Sequence, residues 1–396
     1  MEIVGDGYHK YSAMEILQWS RLETPMVRVE IAKDALPGGL AMAMAPVMVG
    51  WSSSSLGFGR DDYYLVHNVN VSSNPVEGTT MLATVRVPAV GIESVEFVTV
   101  MSKIGKVETE AGHALLRFVF REDRRPVILG NNGRPIANNA ILQDLLVSWE
   151  AWRPPRMGFD PVAGLDPETY ALTPRCFNGP VRCLGDAILD RPWICYPLKL
   201  PEVPNAGDEM LYVSLLLGDV VARQTIIGLA DEWIEKGRNL PGDYPDPEVR
   251  EWEGVKEALA SEKIPENPMK EILDGNIRYH LLLRSCITMA LTSIDLANTR
   301  ISRRGGLPDP PRIRLAPGSL PPFLDDLAHG KRSSALVRLP GILYWLMRHQ
   351  TVIPGKAHKL LEEAGLLQIE NGEMSKKRYG NSPETAYGRI DDNLIY

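Results

Sequence analysis

Four residues could form a chemical site in the first half of the chain and beyond it. Asp61 and Asp62 follow Gly57-Phe58-Gly59-Arg60 and precede Tyr63, Tyr64 and His67. Paired carboxylates beside a histidine can move protons or hold a divalent ion. The serine- and glycine-rich run from Ser52 to Gly59 could approach a phosphate, but it has no Lys-Ser/Thr ending and so is not a Walker loop. The plainer expectation is a solvated hairpin tip. His280 lies one helical turn after Asn276 and one before Arg284, at the border of a long apolar run. A histidine there either joins a polar cluster facing a cleft or caps a hydrophobic core, and the second is commoner. Asp61, Asp62, His67 and His280 are therefore the candidate ligand cleft.

Two further patterns resemble metal chemistry and fall short of it. Glu110-Ala111-Gly112-His113 has the Glu-x-x-His spacing of carboxylate-bridged di-iron helices, which need a second such motif and two more glutamates. A turn before a strand is the expectation for this stretch. Cys176, Cys183 and Cys195 share one irregular segment, but their spacing is not the paired Cys-x-x-Cys of a zinc knuckle. Buried, inert thiols are expected. No nucleophile elbow, His-Glu-x-x-His, dinucleotide fingerprint or kinase set occurs, so no metal and no cofactor is expected. Whether the protein is an enzyme is left open.

The C-terminal third carries the most specific pattern. Leu336 to His349 reads as a helix, Thr351 to Gly355 as a turn and Lys356 to Ala364 as a second helix stopped by Gly365. Leu366 to Tyr379, broken at Glu370-Asn371-Gly372-Glu373, then suggests a hairpin. Helix, turn, helix and hairpin resemble the second half of a winged helix-turn-helix domain. The resemblance implies that Lys356, His358 and Lys359 face a groove, with Arg348 near them and Lys376, Lys377 and Arg378 reaching phosphate. Glu362 and Glu363 on the same helix depart from that pattern, and winged helices also bind proteins. Nucleic acid or a partner protein is thus the expected partner at these residues.

Charge distribution agrees. From Arg300 to Gly380 there are 14 Lys+Arg against 7 Asp+Glu, while the whole chain carries −7, which leaves −14 for the rest. An acidic body with a basic C-terminal region argues against wholesale coating of nucleic acid and for a local contact.

These residues must be positioned by an α+β fold of 396 residues. Residues 1–153 read as a β-rich antiparallel domain, a sandwich or barrel, because short Val-, Thr- and aromatic-rich runs alternate with turn signals. The runs are Met26–Ile31, Leu40–Trp51, Tyr63–Val71, Thr79–Val87, Val95–Met101 and His113–Phe120. Helices are expected at Tyr11–Arg21 and at Ile141–Trp152, where apolar residues return at helical spacing. Residues 154–205 are a proline-rich connector with too much proline for regular elements. Residues 206–307 are a helical domain built on one long helix, Asn267–Arg304, opened by Asn267-Pro268 and closed by Gly305-Gly306. A Pro/Arg-rich linker, 308–335, leads to the small basic module and tail, 336–396.

No basic start and apolar run opens the chain, and Leu281–Ala297 contains Arg284 and Asp295, so no membrane contact is expected. A cytoplasmic protein with reduced thiols follows. The reading is a non-catalytic subunit or regulator, able to oligomerise, that uses the C-terminal module. Its alternatives are an enzyme with its site between the β-rich and helical domains, and a structural or scaffold protein.

Overall fold

The computed structural model describes residues 63–74, 79–104, 107–129, 141–152, 171–178, 193–238, 285–311 and 354–379, four short earlier strands, and isolated positions at 134–135, 250, 253–254, 256–257 and 313. Its strands are β1 (Ile3–Val4), β2 (Tyr8–His9), β3 (Val27–Val29), β4 (Met48–Gly50), β5 (Tyr63–Asn74), β6 (Thr79–Pro88), β7 (Ile92–Ile104) and β8 (Val107–Phe120). They continue as β9 (Val127–Leu129), β10 (Asp144–Trp152), β11 (Ala171–Asn178), β12 (Trp193–Pro197), β13 (Ile369–Glu370), β14 (Glu373–Met374) and β15 (Lys377–Tyr379). The helices are α1 (Ala206–Arg238), α2 (Cys286–Gly305) and α3 (Pro354–Glu363). The fold is α+β, and among the described residues no helix is long and apolar enough to cross a membrane.

One eleven-stranded sheet organises the molecule, in the order β15-β12-β7-β8-β10-β11-β5-β6-β3, with β4 added on β5 and β9 on β6. Among the described residues every pairing is antiparallel except β11 with β5, which pair at Phe177↔Asn70 and Asn178↔Val71. All six strand runs expected between Met26 and Phe120 contain strands.

Three expectations fail, each for a physical reason. Ile141–Trp152 contains strand β10, not a helix. Apolar residues four apart lie on one face of a helix and equally on one face of a strand, because four is an even number. The proline-rich segment supplies two strands. Pro174 is tolerated inside β11 because it faces Trp149 of β10 on one side, while β5 joins the other side only from Phe177. The long helix does not run through Ser285, since α2 begins at Cys286. There the Thr288 hydroxyl accepts the Ser285 N–H at 2.7 Å and donates to the Ser285 carbonyl at 3.1 Å, which closes a helix start. The helix ends as expected, with Gly306 at φ 65° and the Leu307 N–H on the Ser302 carbonyl. The Tyr11–Arg21 helix and residues 267–284 lie outside the described residues.

Helix α1 is the central rod. Met210, Leu211, Tyr212, Val213, Leu215, Leu216, Leu217, Val220 and Val221 are all buried, a run that no single apolar stripe could produce. It packs against α2 and across β4, β7, β10 and β11. Its start is pinned to the sheet: the Asp208 carboxylate accepts the N–H groups of Gly91 and Ile92, both at 2.8 Å. Gly207 permits that approach, because a Cβ there would meet Ile92 at 2.7 Å. Helices α1 and α2 are joined by the Ser214–Ser293 hydroxyl pair at 2.7 Å and by Glu209, which receives Arg300 and Arg304. Arg300 also lies 5.0 Å over the Tyr212 ring.

The core gathers Tyr64, Val66, Phe97, Leu116, Phe118 and Trp149 of the sheet with residues of all three helices. The opposite face of the middle strands is buried as well, at Val98, Leu115 and Leu146. Strands buried on both faces lose the alternation that would mark them in a sequence.

Candidate functional site

The C-terminal unit is built as expected in part. Helix α3 ends at Glu363 and is followed by Gly365 at φ 68°, and a two-residue turn, Asn371 (φ 56°) and Gly372 (φ 81°), joins β13 to β14. Both turn residues with positive φ are what a tight hairpin of right-twisted strands requires. Ala357 and Leu361 are fully buried, and α3 packs against β8 and β7. Burying a leucine side chain contributes about 1.5–3 kcal/mol, so this helix is held firmly. Leu366 donates to Leu361, Lys199 donates to Leu366, and Leu198 and Leu367 form a bridge. Strand β15 then joins the large sheet at β12, with Lys377 opposite Cys195 and Arg378 opposite Ile194.

Among the candidate contact residues, Lys359 and Lys376 are exposed. His358 is half-buried and stacks on Tyr196, with ring centroids 4.6 Å apart and planes 8° from parallel. Lys356 lies on α3, and Lys377 and Arg378 lie on β15, but their side chains are outside the described residues, as is Arg348 altogether. Glu362, Glu363, Glu370 and Glu373 are exposed in the same unit, and Ile369 is 68 % exposed.

Of the candidate cleft residues, Asp61, Asp62 and His280 lie outside the described residues. His67 is described, and it is 2 % exposed. It occupies a bulge: β5 and β6 pair at Val66↔Val85 and next at Val69↔Ala83, so His67 and Asn68 together oppose Thr84. Its Nδ1 lies 3.0 Å from Thr84 Oγ1, while Nε2 has no hydrogen-bond partner. Burial, and then the positive Arg223, lowers its pKa to about 4. The imidazole is therefore neutral at pH 7, in line with a histidine that belongs to a core. Arg223 itself is held by Asp219 at 3.0 Å, both buried.

A second polar group was not foreseen. On the sheet face opposite the helices, Arg117 of β8 binds Glu96 of β7 through Nη1 and Asp144 of β10 through Nε, each at 2.7 Å. Beside them, Cys195 of β12 is a free thiol whose pKa is pushed up, chiefly by burial and next by the negative Glu96. That makes a thiol and not a thiolate, the inert state expected of it. Cys195 should therefore resist a thiol-specific disulfide reagent in the folded protein and react fully in denaturant; peptide mapping after each treatment reads this.

Close by, His113 Nε2 and Ser148 Oγ lie 2.5 Å apart across β8 and β10. The Glu110-x-x-His113 stretch is part of β8 and not a turn before it. Between the pairs Val100↔His113 and Ser102↔Thr109, one residue of β7 faces Glu110, Ala111 and Gly112 of β8, a bulge that ends at His113. Among the described residues no cluster of His, Cys, Asp and Glu could hold a metal ion. The signal for the ion triad was present: each of three apolar runs, Val95-Glu96-Phe97, Leu116-Arg117-Phe118 and Asp144-Leu145-Leu146, carries one charge. Only the strand register shows that the three charges meet.

No family model matches the chain, and no curated protein or solved structure matches it either.

Proposed function

We propose that this protein is a non-catalytic subunit or regulator that binds a partner protein through its C-terminal helix and hairpin. One observation carries the reading. The unit has a buried and an exposed set of residues: Ala357, Leu361, Leu366 and Leu367 are buried, while Ile369 is exposed together with Lys359, Lys376 and four glutamates of the same unit. An exposed aliphatic residue in a unit whose other exposed side chains carry both signs of charge fits a protein interface, with an apolar anchor and polar surroundings. A polyanion-binding face would instead concentrate positive charge. Of the exposed charged residues described here, Glu362, Glu363, Glu370 and Glu373 outnumber Lys359 and Lys376.

In this reading α3 corresponds to the second helix of a winged-helix-like module and β13–β14 to its wing. The module is fixed to the body and presents its outer side rigidly. The β5–β6 hairpin, extended by β4 and β9 on one half and by β11 and β3 on the other, supports a sandwich-like division of the sheet.

Ile369→Asp tests the reading. The side chain is 68 % exposed, so the substitution should leave folding stability within about 0.5 kcal/mol of wild type. A buried interface anchor typically costs about 2 kcal/mol or more of binding, roughly a thirtyfold loss. Wild type and variant, both full-length, are used to purify bound proteins from source cells. The protein that wild type retains and the variant loses is then titrated by calorimetry. Equal affinity for both chains contradicts the reading, as does nucleic acid as the only species retained.

A further inference from the structure

We infer that a second copy of this chain docks its C-terminal unit on an outward face shared by strands β5, β6 and β9. The inference rests on the reading of that unit as a partner-binding element, and it names the partner. Register defines the face. Tyr63 pairs with Pro88, Leu65 with Arg86, Arg86 with Val127, and Val127 bridges to Ile141. Residues paired across strands point to the same side of a sheet. Their sequence neighbours Tyr64, Val66, Val85, Val87 and Ile128 point to the other side and belong to the core. None of the six outward residues is fully buried, and Tyr63 and Ile141 are 44 % and 47 % exposed. A sheet with one face on the core ordinarily turns polar side chains to water on the other. Here five of the six are apolar or aromatic, the mark of a face that another surface covers.

Two arginines give the face its charge. Arg86 sits in the middle of the row, 5.8 Å over the Tyr63 ring, and among the described residues it has no carboxylate partner. Arg125 has an extended backbone and lies two residues before Val127, with the buried Pro126 between, so it points to the same side. Its Nε is buried without a hydrogen-bond partner. Asp123, in the turn just before, lies against Arg124 at 3.8 Å. Both guanidinium groups are therefore open to carboxylates from outside the chain.

Charge selects the occupant. A surface that covers this face must bring apolar side chains and carboxylates together. The C-terminal unit offers both, with Ile369 and the glutamates 362, 363, 370 and 373 all exposed. Within one chain that unit is fastened to β7, β8 and β12, whereas the face belongs to β5, β6 and β9. Two like faces would set arginine against arginine, so the copies meet through unlike surfaces, head to tail.

Sedimentation velocity on the full-length chain over a concentration series tests this. Wild-type mass should rise above that of a single chain, because a head-to-tail contact repeats until it closes. Arg86→Glu spoils the face and keeps the unit, while Ile369→Asp spoils the unit and keeps the face. Each should weaken self-association by about thirtyfold or more, the loss typical of an interface anchor. Mixed together, the two variants should form a pair of chains and nothing larger, since one supplies the unit and the other the face. A chain that merely fails to fold cannot complement another in this way. Tyr63→Ser replaces Arg86→Glu if the charge reversal lowers the urea midpoint. A wild-type chain that stays single at every concentration overturns the inference. So does a mixture that stays single, or either variant associating as wild type does. The partner-binding reading falls on a different result, equal affinity of wild type and Ile369→Asp for the protein retained from source cells.

Discussion

Replacing Arg117 with methionine is expected to lower folding stability by about 3–5 kcal/mol, the cost of leaving buried charges without their partner. Arg117 is the cation between Glu96 and Asp144, whose side chains are 6 % and 2 % exposed. Methionine fills much of the same volume, so the loss reports charge and not a cavity. Adding Glu96→Gln and Asp144→Asn to Arg117→Met should recover most of it, because neutral amides tolerate burial better than unpaired carboxylates. Equilibrium denaturation of wild type, the single variant and the triple variant distinguishes these effects. A single variant as stable as wild type would mean that the carboxylates find other partners.

Acidification should weaken the fold through His67. Its folded pKa is about 4 against an ordinary value of 6.5, lowered by burial first and by Arg223 second. Below pH 6.5 the unfolded chain takes up a proton that the native protein refuses until about pH 4, so stability falls as pH drops through that window. Between pH 7 and pH 5 the loss should be about 2 kcal/mol. Asp208 acts in the opposite sense. Burial raises its pKa despite the hydrogen bonds from Ile92 and Gly91, so its penalty relaxes on acidification. The contrast with His67→Asn isolates the histidine, since that variant keeps Asp208. Urea denaturation midpoints at the two pH values should move apart for wild type and much less for His67→Asn. Equal movement in both would remove His67 as the cause.

The same residues show how much was legible beforehand. Strands β5 to β8 were readable because Val, Thr and aromatic runs are bounded by strong turn residues, and Val85 and Val87 keep the alternation of a half-exposed strand. Strand β10 was not, because its residues 144–149 are buried on both faces, so no two-residue alternation marks it and the four-residue return of Ile141, Leu145 and Trp149 reads as a helix. The first half of helix α1 shows the same effect, since its buried apolar residues from Met210 to Val221 mark no single face. The hairpin of the C-terminal unit was readable from Asn371-Gly372, whose backbone requirement is local. Its docking on β12 was not, since strand partners far apart in sequence leave no local mark. His67 was singled out for its neighbours Asp61 and Asp62, whereas Thr84 and Arg223, brought close by pairing and packing, govern its chemistry. Ser148 and His113 are 35 residues apart and meet only through register.

The most direct measurement of the central claim is the mass and absorbance ratio of the full-length protein, purified from source cells in low salt and again in high salt. Sizing with light scattering at both salts, with absorbance at 260 and 280 nm, reads both quantities at once. A partner-binding subunit should elute as a defined complex heavier than one chain, protein-like in absorbance, and retained in high salt. A bare single chain at both salts would contradict the account, and so would nucleic acid that leaves when salt is raised.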